Sequence, residues 1–219
     1  GALLSLPRSP SSANAVIRET TAELALNGDV SGSLREESTG TEAADLRSYV
    51  SRLSPDEHTK WIQGWIGRNL AGATVKDAKV EAPPAGSVTL SASFQAPRAG
   101  QESGELLLVR PVLLPYRAIP RISAGERTQP VELAPQIHRS VSRLVLPQSA
   151  RVDELPPDVN VEGPFGTFRQ KTTTEAGSLV VAQEVVIPGG LVATADVPAL
   201  RAFLEKVRSA SSAMAVIKR

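Results

Sequence analysis

From Val141 to Ile187 the chain reads as extended segments cut at short intervals by proline and glycine: VSRLVLPQSARVDELPPDVNVEGPFGTFRQKTTTEAGSLVVAQEVVI. Pro147, Pro156, Pro157, Pro164 and Gly177 separate the segments, because proline removes a backbone donor and fixes φ, and glycine marks turns. The runs between them are rich in Val, Thr and Phe, which suit a pleated surface. Three or four strands are therefore expected here, and no nucleophile–base pair stands among them. Any fold for this chain must accommodate an antiparallel β-rich second half.

The first half gives a second anchor. Between Ser87 and Gln95, Val88, Leu90, Ala92 and Phe94 alternate with Thr89, Ser91, Ser93 and Gln95, the period of a strand with one face in the core. Earlier, Ala22, Leu24 and Leu26 alternate with Thr21 and Glu23, and Asn27-Gly28 follows. That dipeptide is the short-range signal for a hairpin with positive φ at both turn residues, and Val30, Gly32 and Leu34 continue the alternation beyond it. Further strands are expected at Val75–Glu81 and Glu105–Val109.

Between these strands the period changes. Ala43, Leu46, Val50 and Leu53 recur at helical spacing, with Thr41 expected as N-cap, giving a helix over about 41–53. A second helix, about 55–70, starts at Ser54-Pro55-Asp56-Glu57: capping box, proline in the first turn and acid near the positive end of the dipole. Its apolar stripe is Trp61, Ile62, Trp65, Ile66 and Leu70.

The second half is expected to have strands near Pro130–Leu133, His138–Leu146, Val159–Glu162, Thr167–Thr174 and Ser178–Ile187. A helix over about 197–209 then buries Leu200, Phe203, Leu204 and Val207, and a final strand covers Ala213–Ile217. Pro120 and Pro130, a glycine and mixed charge after Tyr116 place a boundary near residues 117–127. The expectation is a mainly β chain of two antiparallel β-rich domains. The first, 1–120, carries the helix pair. The second, 121–219, is an Ig-like sandwich with the late helix across one end or before the last strand.

Composition narrows the function classes. Lys and Arg number 24 against 23 Asp and Glu, for a net charge of +1, and aromatics make up 4% of the residues. A nucleic-acid binder would show a basic surplus with stacking aromatics, so none is expected as a partner. With no cysteine and only His58 and His138, thiolate chemistry, disulfides and a histidine-rich metal centre are excluded. No stretch approaches the roughly 20 apolar residues that cross a bilayer, so no membrane insertion is expected. The opening Gly1-Ala-Leu-Leu run is too short for a signal peptide, and the start is expected to be a cut within a longer protein.

Candidate groups have plain structural readings. Trp61 and Trp65, four apart, could stack on a sugar or a partner, but their apolar neighbours place them in the core. His58 sits in a first helical turn, and His138 stands beside Arg139 and near Arg143; both are expected at a surface or interface. Glu36-Glu37 and Asp153-Glu154 cannot converge, since adjacent strand residues point to opposite faces; a solvated role is expected for each pair. No Gly-x-Ser-x-Gly elbow and no phosphate-binding glycine spacing occurs. The residues give no catalytic, cofactor or metal site, and no cofactor is expected.

Several segments, taken in order, resemble the C-terminal β-rich region of bacterial transglutaminase-like proteins, which carry a papain-like core between domains of unknown function. They are Leu26-Asn-Gly-Asp-Val-Ser-Gly32, Gly40-Thr-Glu-Ala-Ala-Asp-Leu-Arg47, Arg127-Thr-Gln-Pro-Val131, Leu146-Pro147, Leu155-Pro156, Phe165-Gly-Thr-Phe168, Pro198-Ala-Leu-Arg-Ala-Phe-Leu-Glu-Lys-Val207 and the closing Met214–Lys218. The resemblance implies a non-catalytic accessory or interaction region in the periplasm or at the cell surface. Its partner would be an upstream transglutaminase-like core of the same protein, or another protein; the catalytic Cys, His and Asp would lie upstream. A glycan- or ligand-binding sandwich is the second reading and would need Trp61, Trp65, Phe165 or Phe168 coplanar and exposed. A stand-alone hydrolase is the third and would need a cleft of converging polar groups.

Overall fold

The computed structural model of the chain describes residues 9–115, 122 and 128–219. In chain order its elements are β1 (Ala15–Leu24), β2 (Val30–Ser38), α1 (Gly40–Val50), α2 (Pro55–Asn69), β3 (Thr74–Glu81), β4 (Val88–Ala96), β5 (Gln101–Ser103) and β6 (Leu106–Val109). They continue with β7 (Val131–Leu133), β8 (Gln136–Val145), β9 (Arg151–Glu154), β10 (Val159–Gly163), β11 (Gly166–Glu175), β12 (Ser178–Ile187), β13 (Gly190–Val192), α3 (Val197–Ser211) and β14 (Ala215–Lys218). The mainly β class, with a helix pair early and a helix late, is as the sequence implies.

Eight strands form one sheet in the order β10-β11-β12-β8-β1-β2-β4-β3. Its middle is the β1–β8 pair, which runs parallel, with Ala15 opposite Ile137 and Glu23 opposite Val145. The other pairings among the described strands are antiparallel. A four-stranded sheet, β5-β6-β14-β9, and the pair β13-β7 complete the set. The expected boundary at 117–127 falls, apart from Ile122, outside the described residues. On either side of it the large sheet is continuous, and the strands expected in one C-terminal sandwich are shared among three sheets. A parallel pair can join distant segments because its connection must be long, and here it joins the two halves.

Local signals explain most elements. In α2 the Ser54 hydroxyl accepts from the Glu57 amide while the Glu57 carboxylate accepts from the Ser54 amide, the reciprocal capping box the sequence suggested. For α1 the N-cap is Thr39, not Thr41. Its side chain is occupied by β1, accepting from the Ala15 amide at 3.0 Å. Asn14 instead reaches across to accept from the Thr41 amide at 2.9 Å, so the helix start is capped by a residue remote in sequence. The β1–β2 turn also differs from expectation. The Gly28 amide donates to Ala25 O and the Ala25 amide to Asp29 O, making a three-residue loop in which only Gly28 has positive φ, at 79°. That is a turn closed by a glycine bulge rather than a two-residue turn. Glycine is required there twice over, since any Cβ would also strike the backbone of Gly100.

The sheet has one covered face and one open face. Ile62, Trp65 and Ile66 of α2 pack on Leu34, Ala92 and Phe94, and Leu107, Val109, Ala215 and Ile217 of the smaller sheet extend the same cluster over Leu144 and Leu179. Leu200, Phe203, Leu204 and Val207 of α3 form a second cluster with Phe168, Val185 and Ile187. These are the four residues that the helical period of α3 picks out. A helix of this length is marginal alone in water, so this burial is what orders it.

Candidate functional site

On the covered face a row of polar side chains runs between the two apolar clusters. Pairing places Glu36, Arg18, Ser140, Gln183 and Gln170 side by side across β2, β1, β8, β12 and β11. Arg18 and Glu36 are 1% and 0% exposed. The Arg18 Nε donates to Glu36 Oε2 at 2.7 Å, its Nη2 donates to the same oxygen, and its Nη1 donates to the carbonyls of Leu114 at 2.6 Å and Pro115 at 2.8 Å. The guanidinium also lies 4.9 Å from the Trp65 ring centroid, within cation–π range. Further along, the Gln183 amide donates to Gln170 Oε1 at 2.6 Å and to Ser211 Oγ at 3.2 Å. Gln170 donates to Pro157 O at 3.0 Å, and Ser142 donates to Pro111 O.

This row is saturated with structural work. A buried ion pair survives only when its remaining donors are satisfied, and here they fix the 111–115 segment against the sheet. Neither Glu36 nor His138 matches the expected surface role: Glu36 is buried, and His138 is 1% exposed on the same covered face. The reason lies in parity. Glu36 shares a face with Leu34, and His138 shares one with Ser140, Ser142 and Leu144, while Glu37 and Arg139 turn outward. Asp153 and Glu154 are exposed, so neither adjacent pair of acids converges. His58 Nε2 donates to the Val50 carbonyl at 2.9 Å, closing the end of α1.

The aromatic candidates separate. Trp65 and Phe168 are buried, at 3% and 0% exposure. Trp61 and Phe165 are half-buried, and Trp61 meets Tyr49 in a tilted pair with centroids 5.5 Å apart. They do not form a flat platform. Among the described residues no three His, Asp or Glu side chains gather as a metal site would need. No described helix is long and apolar enough to cross a bilayer.

The open face is where the molecule offers a surface. Ile17 and Val141 stand on it at 43% and 42% exposure, with Ala182 beside Val141 in register. Arg139, Arg169, Lys171 and Glu184 surround them and, with Val141 and Ala182, line a shallow hollow of about 680 Å³. A smaller hollow of about 320 Å³ continues across the same face past Glu19, Thr21, Ser33, Arg35 and Ser91. Arg139 pairs with Glu184 at 2.7 Å and Arg169 with Glu162 at 3.1 Å, all partly or largely exposed. At the β3 margin Lys79 pairs with Glu81; the hydrogen bond from Lys79 holds the Glu81 carboxyl below its ordinary range. An apolar centre ringed by charge is the anatomy of a protein-contact surface. Parity alone could have drawn it, since Ile17, Glu19, Arg139, Val141, Arg169 and Lys171 are all out of phase with the core residues of their strands.

Residues 105–217 match a family described as a domain of unknown function with a solved structure, DUF3858. The chain belongs to DUF3858. The match opens beside β6 and closes in β14, and these two strands pair, with Ala215 opposite Val109, so the ends of the family region meet in the small sheet. It begins ahead of the 117–127 boundary expected from composition. β1 to β4 then extend the DUF3858 portion of the large sheet by four strands. Among curated proteins there is no match.

Proposed function

We propose that this DUF3858 chain is a non-catalytic interaction region, accessory to an exported transglutaminase-like protein, and that it works through the open face of the large sheet. The observation that carries the reading is that face itself: exposed Ile17, Val141 and Ala182 inside a ring of arginine, lysine and glutamate. The polar row on the covered face supports it from the other side, since those groups are engaged in holding the 111–115 segment and α3. The transglutaminase-like context rests on the ordered segments quoted from the sequence, and location at the periplasm or cell surface follows from that resemblance alone.

A footprint on the full-length gene product tests it. Lys171 lies on the open face and Lys60 on the solvent side of α2. Amine acylation should modify Lys60 freely and Lys171 several-fold more slowly than a denatured control. Equal, fast modification of both lysines overturns the interaction reading. Turnover of glutamine-amide substrates by the 219-residue chain, abolished by a point substitution within it, overturns the non-catalytic one.

A further inference from the structure

We infer that the partner of the open face is a second copy of the same chain, related by a two-fold axis that runs along the strands between β12 and β8. The inference rests on the interaction reading above and names the occupant. Its basis is a pattern of charge that reads as its own complement when reversed. Across the face one register row runs Lys171, Ala182, Val141, Glu19, Arg35, with Asp158 lining the hollow beyond Lys171. Rotation about the proposed axis lays this row on its own reverse. Val141 then covers Ala182, Lys171 meets Glu19, and Asp158 meets Arg35, each twice by symmetry. An isologous interface requires this kind of self-complementarity.

The neighbouring rows agree. In the row Arg169, Glu184, Arg139, Ile17, Arg139 meets Glu184 of the other copy, and the aliphatic stem of Arg169 covers Ile17. On the opposite side Thr173 meets Thr21, with Arg143 lying over the buried Val180 between them, and at one end Val186 meets Ile137. The like-charged Glu175 and Glu23 correspond at a margin, where sheet twist carries two stacked faces apart. Lys171 and Glu19 make no ion pair within the chain among the described residues, so both are free to pair across the axis.

The dimensions are sufficient. The five strands from β11 to β2, at a spacing of about 4.8 Å, span about 19 Å, nine residues of each cover roughly 26 Å, and the five-residue β10 adds a short margin. Each copy would bury on the order of 600 Å², and the pair about 1,200 Å², the lower bound for a specific interface. A weak, reversible dimer with strong salt dependence is the expected form.

Sedimentation equilibrium of the whole chain decides the matter. At low salt, over about 1–200 µM, the mass should rise from 23.1 kDa towards twice that value. Val141→Lys should leave a monomer whose thermal unfolding is unchanged. Lys171→Glu should raise the dissociation constant by about tenfold, and adding Glu19→Lys to the same chain should restore it to within about threefold, because each copy then carries the exchanged pair. A monomer at every concentration, a dimer indifferent to Val141→Lys, or a Lys171→Glu defect that Glu19→Lys does not repair would each overturn self-association. A protected Lys171 in the full-length protein alongside a monomeric chain would leave the interaction reading standing and assign the face to another partner.

Discussion

Two arginine–glutamate pairs on neighbouring strands of one sheet make a natural comparison. Arg18 and Glu36 face each other across β1 and β2; Arg139 and Glu184 do so across β8 and β12. Their Nε–Oε2 separations are the same, 2.7 Å. The first pair is sealed beneath Trp65, at 1% and 0% side-chain exposure, and the second stands at 56% and 33% in water. The chemistry is shared and the surroundings are not. A sealed pair has given up its hydration, so each partner depends on the other. An exposed pair exchanges one set of contacts for water at little cost.

Substitutions can break or sharpen that contrast, beginning with the largest expected effects. Trp65→Ala should remove roughly 3–5 kcal/mol by opening a cavity over the ion pair, read as a fall in the urea midpoint with an unchanged slope. Glu36→Ala should cost about the same, roughly 3–5 kcal/mol, by leaving the Arg18 charge buried without its counter-ion. The double substitution Arg18→Met with Glu36→Leu should cost less than Glu36→Ala alone, because no charge is then left stranded. A double variant as unstable as the single one would show that the carbonyl bonds to Leu114 and Pro115, not the charge pair, dominate. Glu184→Ala should change stability by at most about 1 kcal/mol and lose even that in high salt; a larger effect would erase the distinction.

The smallest effect concerns Glu57, a fully exposed carboxylate in the α2 capping box. The Ser54 amide, then the Ser54 hydroxyl, holds its pKa below the ordinary 4.5. A lowered folded pKa means the contribution is complete above the unfolded value and fades as pH falls through the folded one. Glu57→Gln should therefore flatten the acid limb of the melting temperature below about pH 4.5 and leave the neutral value nearly unchanged.

The same contrast explains what was legible beforehand. Alternation located β4, β11 and β12 within a residue or two, and the stripe of α3 named its four buried side chains, because both signals live in a few neighbouring residues. Glu36 misled because its adjacent acid, Glu37, suggested a solvated pair. Its phase with Leu34 argued for burial, but the partner that makes burial tolerable, Arg18, is supplied by another strand. His138 misled in the same way, through its neighbours Arg139 and Arg143. The caps show the limit again: Ser54 with Glu57 is local and was visible, whereas Asn14 serves α1 from 27 positions away. Among the strands of three or four residues, the apolar β6 and β14 are expected from the sequence, whereas β5 (Gln101–Ser103) and β9 (Arg151–Glu154) are too polar to register, and β13 reads as the end of β12 at Gly189-Gly190. The join between β1 and β8 leaves no trace in either segment alone.

That join sets the order in which the molecule can be completed during synthesis. β1 and β2 can pair as soon as they emerge, since a tight loop joins them, but β2 must wait for β4, which follows α1, α2 and β3 and sets Val88 opposite Ser38. One edge of β1 then has no partner until β8, more than a hundred residues later, has been made. Closing so long a loop makes this the slow step of assembly. Until it closes, a ten-residue strand that ends up at the centre of the sheet is an open edge, the feature on which wrong pairings begin.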